Sequence, residues 1–460
     1  MLLSTAAALT HDCLLPNGTR APCGPGIERC GAPLMEATGF HLSDPTCLMN
    51  DPNGLVYDAV HGVYHVFFQD HLALAPGVGP VYGHFVSRDL AHWAQLPVAI
   101  WNDQPYDSVA VYTGSATVVN GQVVQVYPGV CSRNDPALWP DCQTGTNLNL
   151  AVPADPTDPL LTHWRKPPGN PVVNDTQRDP SSAWQTASGE WRMTTYDAVL
   201  YASRDFKEWR RVGIQPGWLV GECPSLFPLP RPTPGAGAAP PGAKSPPTHV
   251  HKYSNSWLDF MRLGTYTDGA PGEVGNWTPW DQAAAHIDGG AFYASKDLWD
   301  PNGGRRIIWG WTAYAGPGQG VLSLPREVTW HPELQQLVFS PLPEQDMLRG
   351  SVLTELGRTP LSAGGVLPLA VPAGNGSQAE VDVTFALPDG NASFGVSVMG
   401  GADPAASGML YFVHFWRGGT AGVPHSIQVG SVNLSISSQY ATWSERRRLD
   451  PWWSHAICIG

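Results

Sequence analysis

The sequence predicts an all-β protein, a β-propeller followed by a second all-β unit with the texture of a sandwich. Three observations carry this. Between about residues 45 and 345 the apolar runs are strand-length and β-branched or aromatic, as in Val63–Gln69, Gln122–Tyr127 and Arg306–Trp311, with almost no helical period. Clusters of Gly, Asp, Asn and Pro bound these runs and supply tight turns, and 50 Gly and 45 Pro argue against long helices. Finally, a Ser-[Arg/Lys]-Asp step recurs after aromatic strands, at Ser87-Arg88-Asp89, Ser203-Arg204-Asp205 and Ser295-Lys296-Asp297. The first two copies continue to a Trp at the same offset, Trp93 and Trp209. The copies lie two propeller blades apart if a blade takes about 40–50 residues.

Taken in order, residues 1–40 read as an N-terminal arm containing a signal or pro-segment; its short apolar run lacks a basic flank. Residues 41–345 read as the propeller. Inside it, a Pro/Gly/Ala segment over 228–248 has no residues with which to build a core, and reads as a disordered insertion between strands. After Pro341 the texture changes to alternating runs, Ala379–Ala386 and Met409–Phe415, so 346–460 reads as a short, incomplete sandwich. Eight cysteines show no paired zinc spacing; Cys131 and Cys142 flank a loop that a disulfide would close, and Cys13, Cys23, Cys30 and Cys47 would clip the arm. Six N-x-[Ser/Thr] acceptors, at Asn17, Asn174, Asn276, Asn375, Asn391 and Asn433, favour a secretory route.

Composition excludes some functions. A net charge of −13 with no long Lys/Arg run argues against a nucleic-acid partner. No stretch is apolar for long enough to span a bilayer. Nineteen tryptophans are many, and Trp packs in cores or stacks on flat apolar faces such as sugar rings.

Three carboxylates stand out by context: Asp51 in Met49-Asn50-Asp51-Pro52-Asn53-Gly54, Asp179 in Arg178-Asp179-Pro180, and Glu222 in Glu222-Cys223. A glycosidase needs two carboxyls across the scissile bond, one charged and one delivering a proton; a third can hold sugar hydroxyls. Asp-Pro is also ordinary turn chemistry, and a second Asp-Pro-Asn-Gly at Asp300–Gly303 reads as a hairpin turn. The four letters alone therefore say little about Asp51.

The ordered set says more. The three motifs, with flanks Tyr82–Trp93, Tyr112–Thr117, Phe292–Trp311 and Leu324–Val328, resemble the invertase family, glycoside hydrolase family 32, plant-type acid invertases above all. The likeness covers roughly residues 40 to 350. It implies a five-bladed propeller followed by a β-sandwich, and retaining double displacement on β-D-fructofuranosides such as sucrose or short fructans, with no metal or organic cofactor. By motif match Asp51 is the nucleophile, Glu222 the acid/base and Asp179 the transition-state stabiliser, with the retaining carboxyls about 5–5.5 Å apart. Asn50, Gln69, Tyr112, Thr113 and Arg178 match substrate-binding positions, while His84, Trp93 and Trp209 match structural ones. The resemblance also implies a secreted, cell-wall or vacuolar location.

The sequence departs from the family pattern at the pocket rim. Leu48, Gly77, Tyr112 and Gly221 stand where Trp is expected, and Ser225 where Asp is expected. Between Lys252 and Leu263 a charged pair found in some relatives is missing. Hydrolysis, fructosyl transfer on the same fold and a non-catalytic sugar-binding relative all remain open at this level, as does the oligomeric state.

Overall fold

The computed structural model describes residues 11–14, 20–23, 41–44, 48–72, 79–134, 137–281, 283–288, 292–312, 320–371, 379–386, 390–398, 408–415, 426–432 and 452–459. The predicted strands form where the apolar runs lie, slightly longer than the runs themselves: Val63–His71, Gln122–Val130 and Arg305–Thr312. Val63–Gln69 has no polar alternation because both its faces are covered.

Five antiparallel sheets follow one another along the chain. Blade I consists of Leu48–Asp58, Val63–His71, Val81–Ser87 and Trp93–Ile100. Blade II begins as Ala110–Val111 and Ser115–Val119, then Gln122–Val130, Thr146–Pro153 and Trp164–Arg165. Blade III is Trp184–Gln185, Trp191–Thr194, Val199–Ser203 and Arg210–Ile214. Blade IV is Glu222–Pro228, His249–Asn255, Leu258–Thr267 and Asn276–Pro279. Blade V is Tyr293–Asp300, Arg305–Thr312, Arg326–His331 and Gln336–Pro341.

The ring closes. Leu48–Asp58 packs on Ser115–Val119 and on Tyr293–Asp300, which in turn packs on Glu222–Pro228, so the first strands converge on one axis. Each neighbouring pair of blades shares an apolar cluster: Phe67 and Tyr82 with Tyr127 for I–II, Val126 with Met193 for II–III, Leu200 with Trp277 for III–IV, Phe227 with Ile308 for IV–V, and Phe68 with Trp309 for V–I. Truncating a fully buried Trp such as Trp309 costs about 3–5 kcal/mol. At the seam, Leu322 N–H donates to Leu42 O at 2.9 Å and the His41 ring lies 3.1 Å from Leu322 O.

The repeat divides in two. After Val81–Ser87 and Val199–Ser203 the same turn forms: Ser87 and Ser203 Oγ each accept from an N–H three residues on, at 2.9 Å, in Leu90 and Phe206. Both of these residues have positive φ, and their carbonyls each accept a Trp indole N–H at 3.2 Å, from Trp93 and Trp209. The third copy is different. Ser295-Lys296-Asp297 lies within the inner strand of blade V and makes no turn.

Where composition predicts a free insertion over 228–248, the chain is tied down. Pro232 bridges Trp330, Thr233 N–H donates to Trp330 O at 2.7 Å, Arg231 pairs with Glu327, and Trp280 donates its indole N–H to Ser245 O at 2.8 Å. Such a segment needs no core of its own when its backbone borrows partners from the edge of a finished blade. Beyond the propeller, Ala379–Ala386 pairs with Trp452–Ile459, and Ala392–Val398 with Gly408–Phe415 and Ser426–Val432. These are the two sheets of the expected sandwich, and the rings of Phe385 and Phe394 meet between them at 4.9 Å.

Cys131 and Cys142 form the expected disulfide. The side chains of Cys13 and Cys23, and Cys30 and Cys47 altogether, lie outside the described residues. Of the glycosylation acceptors, Asn174, Asn276 and Asn391 are exposed; Asn17, Asn375 and Asn433 fall outside. Among the described residues, no helix is long and apolar enough to cross a membrane.

Candidate active site

Three inner strands break register where they reach the axis. The pairing slips between Met49 and Pro52 in blade I, between Glu222 and Ser225 in blade IV, and between Tyr293 and Lys296 in blade V. A bulge bends its strand and re-aims a side chain, so these slips turn Asp51, Glu222 and Tyr293 towards one place. Cys223 and Ala294, within two of the bulges, take positive φ of 50° and 53°. Asp179 is also at positive φ, 64°. It sits in the irregular segment before blade III rather than on an inner strand.

Asp51 is held by its neighbours. Thr113 Oγ1 donates to Oδ2 at 2.7 Å, Asn50 Nδ2 to Oδ1 at 2.9 Å, and the Cys223 thiol to Oδ2 at 3.7 Å. Burial raises its pKa, the bonds from Thr113 and Asn50 oppose that, and the charge of Glu222 adds to it. Asp179 accepts the Cys223 backbone N–H at 3.2 Å, and Arg178 Nε lies 3.6 Å from it. Burial pushes its pKa up to about 7, with Arg178 and Lys296 pulling down and Asp51 and Glu222 pushing up. Glu222 is gripped on both oxygens, Oε1 by Arg178 and Oε2 by the Tyr293 hydroxyl.

Cys223 joins the three. Its thiol touches Asp51, its N–H holds Asp179, and Glu222 precedes it. Burial, then the charges of Asp179 and Asp51, lift the thiol well above its ordinary value, so it stays protonated and donates. Its carbonyl accepts from Lys252 Nζ at 3.2 Å, and Lys252 pairs with Asp259 beneath the site.

The expected binding residues form a chain. Gln69 donates to Thr113 Oγ1 at 2.6 Å, Asn50 to Gln69 at 3.5 Å, and His71 Nε2 lies 2.6 Å from Asn50 Oδ1. The relay fixes the direction of the Asn50 and Thr113 bonds to Asp51. Tyr112 enters through its backbone, whose carbonyl accepts from Tyr82 at 3.0 Å. Arg178 also lies over the Tyr196 ring at 4.8 Å. His84 is buried against His65 and Phe67, and Trp93 meets Trp309 at the V–I seam, structural placements as expected. Gly77 lies outside the described residues. Gly221 is a close approach: a Cβ there would stand 2.6 Å from Ser254 O and 2.7 Å from the Tyr253 ring.

Sequence reasoning missed Tyr293, Lys252, Lys296 and His71. Lys296 is buried, bonded to Ser115 Oγ at 3.1 Å and Pro180 O at 3.3 Å, and its charge reaches Asp179. Its signal was the Ser-Lys-Asp copy, which resembled a turn. A separate cleft of about 670 Å³ between the outer strands of blades I and II contains none of these residues; Lys166 in its wall is already paired with Asp103 and Asp107.

A family model described as the glycosyl hydrolases family 32 N-terminal domain matches residues 41–341. The chain is 37% identical over 326 residues to an acid beta-fructofuranosidase of Vigna radiata var. radiata, covering 64% of this chain and 48% of that protein. It is 36% identical over 304 residues to acid beta-fructofuranosidase 4, vacuolar, of Arabidopsis thaliana, covering 60% of this chain and 43% of that protein. The chain thus spans about half the length of the curated relatives it matches. Among solved structures it is similar to fructan 1-exohydrolase IIa from Cichorium intybus, with a TM-score of 0.69 and 26% identity over 92% of this chain and 84% of that one.

Proposed function

The chain belongs to glycosyl hydrolase family 32, and on that premise we propose that it hydrolyses terminal non-reducing β-D-fructofuranosides, sucrose and short fructans, with retention. The observation that supports this most is Cys223, whose backbone and thiol hold Asp179 and Asp51 beside Glu222. Three carboxyls gathered around one residue are costly to keep, and a site that keeps them has chemical use for them.

In the proposed reaction, Glu222 gives its proton to the glycosidic oxygen as the bond from C2 to that oxygen breaks. Asp51 forms a bond to C2, and the leaving sugar departs as an alcohol. Water then attacks C2, Glu222 takes its proton back, and Asp51 is released as a carboxylate. Thr113 and Asn50 hold Asp51 in place for the attack. Asp179 is placed to bind fructosyl hydroxyls and to offset the positive charge that develops on the ring. Arg178 and Tyr293 orient Glu222, and one of those bonds must yield to the glycosidic oxygen.

A secretory-pathway lumen, vacuolar or extracellular, fits the Cys131–Cys142 disulfide and the exposed acceptors Asn174, Asn276 and Asn391. The test of function is release of glucose and fructose from sucrose at mildly acidic pH. Asp51→Ala and Glu222→Ala are each expected to lose nearly all of it; a variant close to wild type removes that residue from its role. Oligofructosides as the main product at high sucrose would turn the assignment to transfer.

A further inference from the structure

The thinned rim leaves a question: what does the sugar beyond the scissile bond rest on? The hairpin joining His249–Asn255 to Leu258–Thr267 holds one answer. Its two central residues, Ser256 and Trp257, have φ of 52° and 66°, a turn that Asn and Gly make easily and Trp does not. Such backbone costs on the order of 1–3 kcal/mol per residue and persists where the surroundings or a use demand it. Trp257 is also 64% exposed, a large apolar surface given to solvent at a strained tip.

Its neighbours locate it. The Trp257 ring lies 5.4 Å from Tyr293 and 5.8 Å from Trp311. Tyr293 is the residue whose hydroxyl holds Glu222, and Ser254, three residues before Trp257, pairs with Glu222 in the sheet. Trp311 reaches the other side: its indole nitrogen and the Met49 carbonyl are both so close to Gly320 that no Cβ would fit there. Met49 is two residues from Asp51. An aromatic face therefore runs along blades IV and V from the acid/base side towards the nucleophile side.

We propose that Trp257, backed by Tyr293 and Trp311, is the platform on which the leaving-group sugar stacks, and that it sets preference among aglycones. An exposed indole presents a flat apolar face, and a pyranose ring has an apolar C–H face to lay upon it. A glycosidic oxygen bonded to Glu222 brings its sugar to the Tyr293 edge of this face. Recognition by such a face depends on the presence of a second ring more than on its hydroxyl pattern. The proposal rests on the fructofuranosidase assignment above.

The test compares sucrose with methyl β-D-fructofuranoside, which carries the same fructosyl unit and no second ring. The readout is the ratio of kcat/KM on sucrose to kcat/KM on the methyl fructoside. Trp257→Ala is expected to lower that ratio about fivefold or more, mostly through KM on sucrose, and Trp257→Phe to restore most of it. A ratio equal to wild type in Trp257→Ala overturns the platform, and so does an equal loss on both substrates, which marks a fold defect rather than ring recognition. Wild-type protein that turns over neither substrate overturns the underlying assignment, and the platform with it.

Discussion

The chain carries Asp-Pro-Asn-Gly twice, and the two copies have opposite surroundings. At Asp300 the carboxylate is buried, takes a hydrogen bond from Tyr64 at 2.8 Å and from the Asn302 N–H at 3.1 Å, and pairs with Arg305 at 2.9 Å. At Asp51 the same letters sit in a bulged inner strand, and the hydrogen bonds come from Thr113, Asn50 and Cys223, all neutral. Asp300 is neutralised and closes a hairpin. Asp51 is held without a cation of its own beside two other carboxyls. Identical letters thus yield a structural turn where a cation satisfies them, and, where only dipoles do, the carboxylate proposed as the nucleophile.

That contrast can be broken by experiment. The largest effect falls on Asp51→Asn, which should lose nearly all turnover without losing stability. Because burial raises the folded-state pKa of Asp51, and of Asp179 to about 7, ionising them costs folding free energy. Their contribution is favourable below the unfolded pKa near 4 and is lost as pH rises towards 7. Asp51→Asn and Asp179→Asn should therefore melt higher than wild type at pH 7–8, with the gap closing towards pH 4. Melting points that fall at neutral pH would show that these carboxylates support the fold. Asp300→Ala should do the reverse, costing about 2 kcal/mol by removing the buried acceptor that Tyr64 and the Asn302 N–H share and leaving Arg305 to Glu344 alone, as read in urea titration, while kcat stays within a few-fold. A collapse of kcat with intact stability would erase the distinction. The smallest effect concerns charge balance. Lys296→Met removes a cation that lowers the pKa of Asp179, so the acidic limb of kcat/KM should move to higher pH. An unmoved limb would leave Lys296 with only its bonds to Ser115 and Pro180.

The propeller and the three carboxylates were legible because both leave marks in linear order: strand-length runs between turns, and motifs in fixed sequence. Tyr293 and Lys296 were not, since they meet Glu222 and Asp179 only once blades far apart in the chain converge. The Ser-Lys-Asp copy at 295 misled for a related reason. Ser87 and Ser203 close a turn onto the third residue after them, whereas Ser295 is already committed to an inner strand, its N–H donating to Asp259 at 2.8 Å. The Pro/Gly/Ala segment was misjudged because composition reports what a segment can bury, not what a neighbouring edge can lend it. Its partners at Trp330, Glu327 and Trp280 belong to blades IV and V.

The seam between Leu42 and Leu322 bears on how the protein is made. Those two residues are joined by a backbone hydrogen bond yet separated by nearly the whole propeller, so the seam cannot form until blade V has emerged from the ribosome. Asp51, Asp179 and Glu222 are all synthesised earlier, but Tyr293 and Lys296 arrive with that last blade. Over the 71 residues from Glu222 to Tyr293, a nascent chain thus carries its acidic trio without the hydroxyl and the ammonium that the last blade adds. Closing the ring and arming the pocket are a single event in the life of this chain.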